Sequence, residues 1–336
     1  MELNTVIFSD FVQIAEVLWE KGKASVSPVM RKSGMVMVDK ISQSTGNQRE
    51  WSSVDTNEYL SYKGESDQAA RGKVQQGYSK TMTAYRIAEN IGISYEMRTQ
   101  NKYPEVTRNL TSAGRKGDQS IELDLSHRFT FGTATSYTDR DGRTIDITTG
   151  ASSSQQLFDT NHPLKGCSTT YRNRLANNPK VSKGALEGME RLVVEETYNQ
   201  LGEKKTMSFD VIFSTDDPNT VNTIREYLRS TSAPDGANSG ITNVYSSKYR
   251  HVIMPLLATT AAGATDSDKR FYWGLVCTQN SEFHLGVWEE PHMISPSGKG
   301  SEDIQTDDWE FRNRAGYGIC VVDAPWIKFS SGDGTA

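Results

Sequence analysis

The letters MSFDVIFSTDDPNTVNTIREYLRS, residues 207–230, set the architecture of this chain. The apolar run 209–213 is rich in β-branched and aromatic residues and is typical of a buried strand. STDDPN ends that strand, and Pro218 suits the first turn of a helix because its φ angle is already helical. Asp216 or Asp217 can cap the helix by accepting backbone N–H groups. The apolar face of this predicted helix carries Val221, Ile224, Tyr227 and Leu228.

A second amphipathic helix is predicted just upstream, at 182–202. Ser182 can cap its first turn, and Gly202 is a suitable stop signal. Its apolar stripe consists of Leu186, Met189, Leu192 and Val193. Helix, strand and helix together indicate a compact α/β core with chain to spare on both sides. No catalytic constellation lies on this core.

Composition narrows the class of protein. A length of 336 residues suggests about two domains. Only 35% of the residues are hydrophobic and the mean hydropathy is −0.60, which is low for a chain that buries one large core alone. We therefore expect neighbouring chains to order part of it. The net charge of −5 argues against nucleic-acid recognition, since phosphate binding needs clustered lysine and arginine.

The cysteines and the N-terminus indicate the cellular compartment. Cys167, Cys277 and Cys320 are scattered and odd in number, which suits a reducing cytoplasm. The N-terminus has no basic region followed by a long apolar one, so we expect no secretion signal. No run approaches the roughly 18 apolar residues of a membrane helix. We therefore expect no association with a membrane.

The N-terminal residues suggest a helix and an arm. A short amphipathic helix is predicted at 9–21, with Gly22 ending it, and an extended arm is predicted at 26–38. The helix packs either on its own domain or on a neighbouring subunit. The sequence leaves both possibilities open.

Residues 39–83 are polar and follow neither a helical nor a strand period. A structureless stretch of more than ~15 residues is uncommon inside a compact domain. Two interpretations remain, a disordered insertion or a long β-hairpin that projects and is held by another subunit. Isolated aromatic residues favour the hairpin, because disordered tracts contain few of them. The candidate intersubunit residues are Trp51, Tyr59, Tyr62 and Tyr78.

The next segment predicts a strand and then a long helix. Alternation marks a strand within 83–97, and apolar residues recur every three or four positions from Pro104 to Phe129. The helix would run for more than six turns, or ~35 Å at about 1.5 Å per residue. Gly114 and Gly117 cost it roughly 1 kcal/mol each relative to alanine. Packing has to compensate that cost, or the helix bends there.

Three places invite a chemical interpretation. DRDG within 131–147 predicts a hairpin turn, and calcium binding by Asp139 and Asp141 is disfavoured because the loop lacks the other ligands of a calcium hand. His162 has no cysteine or second histidine at ligand spacing, so a structural histidine is favoured over a catalytic one. SGKGS at 297–301 lacks the complete phosphate-loop pattern. We predict no catalytic, cofactor-binding or metal-binding residues.

The C-terminal third predicts further strands. One strand is expected at 243–257, ending at Pro255, and another at 271–276. Alternating strands within 309–329 close the chain. We expect these closing strands to pair with the sheet around 130–147, which would make the central α/β unit an insertion between two halves of one domain.

The order of these parts resembles a known family. The segments that carry the resemblance are LFDTNHPL (157–164), FDVIFSTDDPNTVNTIREYL (209–228), NVYSSKYRHVIMPLL (243–257), FYWGLV (271–276) and TDDWEFRNRAGYGICVVDAPWIKFSSG (306–332). In this order they resemble the major capsid proteins of tailed bacteriophages with the HK97-like fold, and within that fold the Mu-like major head subunits. The likeness covers most of the chain from about residue 85 onward, and it lies in the shared order of the motifs.

The resemblance implies an α+β fold, the HK97-like capsid fold, with a particular division of the chain. The implied parts are an N-terminal arm (1–38), an extended β-hairpin loop (39–85), a first part of the peripheral domain (86–180) with a spine helix (104–130), an inserted α/β axial domain (181–300), and closing strands of the peripheral domain (301–336).

The resemblance also implies a function. It implies a structural protein, not an enzyme, that assembles into hexamers and pentamers of an icosahedral head shell around phage DNA, with no sequence-specific DNA binding and no cofactor. The implied partners are copies of itself and portal, scaffolding and decoration proteins, and the implied location is the virion after assembly in the bacterial host cytoplasm. Because no charged coiled-coil prefix precedes the arm, a separate scaffolding protein, or none, is expected. An encapsulin-type compartment shell and, less favoured, an α/β enzyme remain alternatives.

Overall fold

The computed structural model of the protein describes residues 5–42, 46–99, 103–232, 242–295 and 308–334. Its helices are α1 (Thr5–Ala24), α2 (Val29–Lys32), α3 (Tyr95–Thr99), α4 (Tyr103–Thr130), α5 (Lys183–Glu195) and α6 (Pro218–Arg229). Its strands are β1 (Met37–Lys40), β2 (Gln48–Thr56), β3 (Val74–Thr83), β4 (Tyr85–Ile93), β5 (Ser136–Thr138), β6 (Thr144–Asp146), β7 (His162–Pro163), β8 (Thr170–Tyr171), β9 (Val211–Ser214), β10 (Arg250–Ile253), β11 (Trp273–Val276), β12 (Phe283–Ile294), β13 (Trp309–Val321) and β14 (Ile327–Ser330). The glycine-rich letters at 297–301 lie outside the described residues.

The strand, turn and helix predicted at 207–230 are confirmed as β9 and α6. The Asp217 carboxylate accepts a hydrogen bond from the Thr220 backbone N–H at 3.1 Å, and Pro218 occupies the first turn. On the predicted apolar face, Val221, Ile224 and Leu228 are buried and Tyr227 is partly buried.

The preceding helix, α5, begins as predicted and ends early. The Ser182 hydroxyl accepts a hydrogen bond from the Ala185 N–H at 3.2 Å, which confirms the cap. The helix ends at Glu195, so its predicted extension to Gly202 is wrong. Gly202 adopts a φ of 84°, and its N–H closes a tight turn onto the carbonyl of Asn199. The glycine therefore belongs to this separate turn.

The central sheet has the strand order β10-β9-β11-β14, with β10 parallel to β9 and the other pairs antiparallel. The strand predicted at 243–257 shrinks to β10. Its first part is a turn organised by Asn243, whose side chain donates to the carbonyls of Tyr227 and Ser230 and accepts from the Tyr245 N–H. Side-chain hydrogen bonds of this kind compete with strand formation.

The outer sheet has the order β1-β12-β13-β4. Strand β13 pairs antiparallel with both β12 and β4, whereas β14 joins the central sheet. The predicted pairing of the closing strands with 130–147 is therefore wrong. In that region, β5 and β6 have only three residues each and pair with one another through the DRDG turn, as predicted for that hairpin. Strand β13 pairs instead with the longer strands β4 and β12.

The helix predicted from Pro104 to Phe129 is confirmed as α4, and its glycines have a packing role. A Cβ atom added at Gly114 would overlap the backbone of Trp19, and one added at Gly22 would overlap the backbone of Thr111. The two glycines therefore allow α1 to lie directly against α4. Gly22 was expected to end the first helix, which is wrong because α1 continues to Ala24.

The arm predicted as extended at 26–38 is instead folded onto α4. The Glu122 carboxylate of α4 accepts the Met30 N–H at 2.8 Å, and Arg31 forms an ion pair with Asp118 at 2.5 Å. These contacts hold the short helix α2, after which β1 adds a parallel strand beside β12. Of the two possibilities for the N-terminal helix, packing on its own chain is the one observed.

One continuous core connects α4 with both sheets. The Phe129 ring lies 5.3 Å from Phe213, 5.4 Å from Phe283 and 6.4 Å from Trp326, measured between centroids. Aromatic pairs at such distances add to the apolar burial. Because this core includes residues from both sides of the predicted boundaries at 180 and 300, the division into domains stays a prediction.

Candidate assembly surface

Strands β2 and β3 form a long antiparallel hairpin, as favoured for the polar region 39–83. Their register runs from Gln48 opposite Thr83 to Thr56 opposite Val74, with one irregularity after Ser52. We call residues 48–56 and 74–83 the hairpin strands and residues 57–73 the hairpin tip. The spaced aromatic residues were the signal for this element.

The hairpin tip carries large side chains into solvent. Leu60 is 98% exposed, Tyr62 is fully exposed and Tyr59 is 63% exposed. Val54 and Val74, where the strands meet the tip, are also exposed. An apolar patch of this kind on a single chain is a candidate contact surface.

The structure divides the four candidate intersubunit residues. Trp51 packs on its own chain, with its ring stacked on His284 at 4.2 Å between centroids. The hydroxyl groups of Tyr78 and Tyr59 donate to backbone carbonyls of the body, at 3.2 and 3.3 Å. Tyr62 points away from the chain that carries it. Contact of these four residues with another subunit stays a prediction.

Polar contacts hold the hairpin strands on the body. Asp55 pairs with Lys205 at 2.8 Å and also accepts the Gln200 N–H at 3.0 Å. The Lys165 ammonium donates to the carbonyl of Gly77 at 2.8 Å. Lys80 likewise reaches Asp146 and Thr148 in the β5–β6 region. Ion pairs of this partly exposed kind contribute about 0–1 kcal/mol each.

A further exposed surface was not predicted from the sequence. Ile14 and Val17 lie on the outward side of α1, and Met37 and Val38 lie on β1 at the edge of the outer sheet. An edge strand presents unpaired backbone groups to which another chain can add. Ile14 was predicted to share the apolar side of this helix with Phe11 and Leu18, which is wrong because Ile14 is 58% exposed whereas the other two pack against the core.

The histidine singled out at 162 has a structural environment. One ring nitrogen of His162 lies 3.1 Å from Asn173 Oδ1 and the other lies 3.3 Å from Gln155 Nε2, and the ring stacks on Tyr171. Burial lowers the pKa of His162 to about 4, so the ring is neutral. These contacts support the structural interpretation.

The DRDG turn is likewise satisfied by its own groups. Asp139 accepts the N–H groups of Asp141 and Arg143 and pairs with the Arg143 guanidinium at 2.9 Å. Burial alone would raise the pKa of Asp139, but the hydrogen bonds and charge of Arg143 outweigh it and lower the pKa. Among the described residues, no three histidine, cysteine or acidic side chains are grouped so as to hold a metal ion. None of the described helices combines the length and apolar character needed to cross a bilayer.

Buried acidic groups lie beneath the hairpin strands. Asp323 accepts the Tyr171 hydroxyl at 2.9 Å and the Gln200 side-chain amide at 2.5 Å. Glu282 Oε2 is buried, and within the described part of the chain it has no hydrogen-bond partner. Gln200 therefore contacts both Asp323 of this buried pair and Asp55 of the hairpin. No local sequence pattern marks this cluster, since its members come from distant segments.

The long helix, the two sheets and the hairpin together form a mixed α and β architecture, with the parts expected of the HK97-like fold. A chain from Gordonia phage Cozz has 13% identity to this one and a TM-score of 0.50, over 91% of this chain and 86% of that chain. For the capsid of Myoviridae phage XM1 the identity is 12% and the TM-score 0.48, over 91% and 92%. For a virus-like particle from Pyrococcus furiosus they are 8% and 0.49, over 96% and 99%.

At such identities the likeness concerns the fold alone, and the similarity to the Gordonia phage chain carries it. No family model and no curated protein sequence matches this chain.

Proposed function

We propose that this chain is a major capsid protein, a structural and non-enzymatic subunit that assembles with copies of itself into the icosahedral head shell of a tailed bacteriophage. The observation that carries the proposal is the long hairpin with a solvent-exposed aromatic and aliphatic tip, on a chain with the HK97-like fold. In solvent, the exposed side chains of Leu60 and Tyr62 do not stabilise a folded monomer, whereas a neighbouring copy can bury them.

Physical requirements of a shell support this function. Each subunit must bury a large area against several neighbours, and a specific interface buries about 1,600 Å² in total. A compact body cannot reach many neighbours at once, whereas a hairpin can. Head-to-tail contacts between different surfaces then close rings, and such contacts need no self-complementary patch. The net charge of −5 suits a shell that encloses DNA without binding it tightly.

The finer assignments belong to the same proposal. We infer that the rings are hexamers and pentamers, that the relatives nearest in kind are Mu-like major head subunits, and that the protein resides in the virion after assembly in the bacterial cytoplasm. Portal, scaffolding and decoration proteins are the expected partners, and double-stranded DNA is the expected content. The order of the five segments that carry the resemblance supports these assignments.

Within this function, the four aromatic residues of the hairpin have different roles. We propose that Tyr59 and Tyr62 reach the neighbouring subunit, because the tip exposes them. Trp51 and Tyr78 set the direction of the hairpin through their contacts with the body, so that their substitution would misplace the tip.

Electron microscopy of the purified full-length protein tests the proposal. We expect closed, uniform shells in negative stain at high protein concentration, and double-stranded DNA inside particles isolated from producing cells. Shells that contain a protein cargo and no DNA would instead identify the compartment-shell alternative. A chain that stays monomeric at every concentration and forms no particles in producing cells would contradict an assembly function altogether.

A further inference from the structure

The hairpin strands share one residue with the buried acidic pair beneath them. The Gln200 backbone N–H donates to Asp55 of the hairpin at 3.0 Å, while its side-chain amide donates to Asp323 of the body at 2.5 Å. Only the Gln200 side chain therefore separates the buried pair, whose charge can change, from the hydrogen bond to the hairpin. Gly166, whose N–H donates to the Gln200 carbonyl, lies beside Gln75 of the hairpin and completes the contact from the other strand.

The buried pair is poorly arranged for two negative charges. Glu282 Oε2 is buried and has no hydrogen-bond partner among the described residues, and such an oxygen is costly to keep ionised. Burial, reinforced by the charge of Asp323, raises the pKa of Glu282 to about 8. Burial also raises the pKa of Asp323 to about 6, and the charge of Asp55 adds to the effect. Near neutral pH the two carboxyl groups therefore hold one proton.

Other charged and titratable groups face this pair from every side. They are Asp55 and Tyr78 on the hairpin, and Cys167, Tyr171, Lys205 and Lys328 on the body. Lys205 is already paired with Asp55. Burial lowers the pKa of Lys328 to about 7, so this ammonium loses its charge over the range in which the carboxyl groups ionise. At alkaline pH, Lys205 then faces three carboxylates at once.

We propose that this cluster is a proton-operated latch, in which the hairpin rests on its own body while one of Glu282 and Asp323 is protonated and leaves when both are ionised. Departure of the hairpin admits water to the pair and relieves the repulsion with Asp55. Use of the released hairpin by a neighbouring subunit rests on the proposed function, but the latch itself does not.

The direction of the pH dependence follows from linkage. A carboxyl group whose pKa is raised in the docked state stabilises docking fully below its ordinary pKa, and this stabilisation is lost as the pH rises through the raised value. The loss extends from 4.5 to about 8 for Glu282 and from 3.8 to about 6 for Asp323. The lowered pKa of Lys328 would act in the opposite direction, but Lys328 lies on β14 and is bonded to the carbonyls of Arg172 and Glu196, so departure of the hairpin leaves its surroundings unchanged. Acidic conditions therefore keep the hairpin docked, and mildly alkaline conditions release it.

Hydrogen–deuterium exchange of the full-length chain, below the concentration at which shells form, tests the latch. The reporter is the peptide 197–205, because the Gln200 N–H is bonded directly to Asp55. After correction for the intrinsic pH dependence of exchange, we expect about 30-fold faster exchange at pH 8.5 than at pH 6.5, since linkage to one proton changes an equilibrium by up to about tenfold per pH unit until the raised pKa of about 8 is passed. An unchanged corrected rate would overturn the proposal.

Matched variants separate the latch from general loosening. Glu282→Gln keeps the shape of the side chain and cannot ionise, so its exchange should stay slow across the pH range. Glu195→Gln makes the same chemical change at an exposed position of α5 and should follow the wild type. Equal pH dependence in Glu282→Gln and the wild type would refute the latch.

If circular dichroism shows that Glu282→Gln does not fold, the variant Lys205→Met tests the latch instead. Removal of the cation leaves the carboxylates uncompensated, so release should shift to lower pH, and an unshifted profile would refute the latch. Electron microscopy of shells is independent of these measurements, so failure of the latch and failure of the capsid function are distinguishable.

Discussion

Helix α1 and the β2–β3 hairpin are both peripheral segments that lie on the body of the chain, but different forces hold them. Helix α1 buries Ala15 and Trp19, and its backbone touches α4 at Gly22 and Gly114. The hairpin buries Met82 near its base, but its outer part is held by hydrogen bonds and partly exposed ion pairs, such as that between Asp55 and Lys205. When a segment leaves the body, water can replace its lost hydrogen bonds, but water cannot compensate for apolar surface that becomes exposed.

The comparison indicates which segment can change its partner. Removing α1 from α4 would expose buried apolar surface, at a cost of about 25 cal/mol per Å². Removing the outer part of the hairpin, beyond Met82, exchanges protein hydrogen bonds for hydrogen bonds to water, at a small net cost per bond of about 1 kcal/mol. We therefore expect α1 to be a permanent part of the subunit and the outer part of the hairpin to be the detachable part. Four variants test this contrast, ordered by their effect on the unfolding free energy of the unassembled chain.

The largest effect is expected for Trp19→Ala at the α1–α4 contact. Trp19 is 3% exposed, and truncation of a buried tryptophan lowers the unfolding free energy by about 3–5 kcal/mol. Urea denaturation followed by circular dichroism measures the loss. A loss below about 1 kcal/mol would mean that α1 is not firmly packed on the body, and α1 and the hairpin would then not differ in how they are held.

Gly114→Ala should have the next largest effect. Alanine favours helices, yet its methyl group would overlap the backbone of Trp19, so we expect a loss of about 1–3 kcal/mol in the same denaturation experiment. Gly184→Ala is the matched control, because an added Cβ at this position of α5 meets nothing within 4 Å. The control should be neutral or more stable by up to about 1 kcal/mol. Equal effects at the two sites would rule out close backbone packing.

Lys205→Met at the hairpin should lower the unfolding free energy only slightly, by about 0–1 kcal/mol, because its ion pair with Asp55 is partly exposed. The measurement is urea denaturation at pH 6.5, where the buried acidic pair holds a proton. A loss comparable to that of Trp19→Ala would show that the hairpin is as firmly attached as α1.

The smallest effect on unfolding is expected at the hairpin tip. Replacing Tyr59, Leu60 and Tyr62 together by serine should change the unfolding free energy by less than about 0.5 kcal/mol, since these side chains are exposed. The same variant should form no shells in negative stain, because its neighbours lose their anchor. As a control, Glu65→Ser with Asp67→Ser alters the same tip without removing apolar side chains. Normal shells from the triple variant would refute the assembly role of the tip.

The parts that were predicted from sequence depend on local signals. Pro218 and Asp217 act within one helical turn, and the glycine of the DRDG turn is needed at its positive φ of 79°. These signals do not depend on the rest of the chain, so β9, α6 and the β5–β6 hairpin were found. The helical repeat of apolar residues along α4 was also visible despite Gly114. A glycine is needed there because the backbone of the neighbouring helix α1 lies against it.

The parts that were missed depend on distant partners. Strand β13 has the alternation of a strand, but alternation does not say that its partners are β4 and β12. Likewise, the contact of Trp51 with His284 joins residues that are remote in sequence, so no local pattern reveals it. The acidic cluster of Glu282 and Asp323 is hidden for the same reason, since neither residue has an unusual local setting.

The pairing of Tyr85 with Tyr317 has a consequence for synthesis on the ribosome. Strand β4 is synthesised well before β13, and contacts between segments so distant in sequence form slowly. A nascent polypeptide that has not reached β13 thus lacks the completed outer sheet. Only a chain that includes β13 can complete this sheet, so the topology itself screens out chains that stop before it.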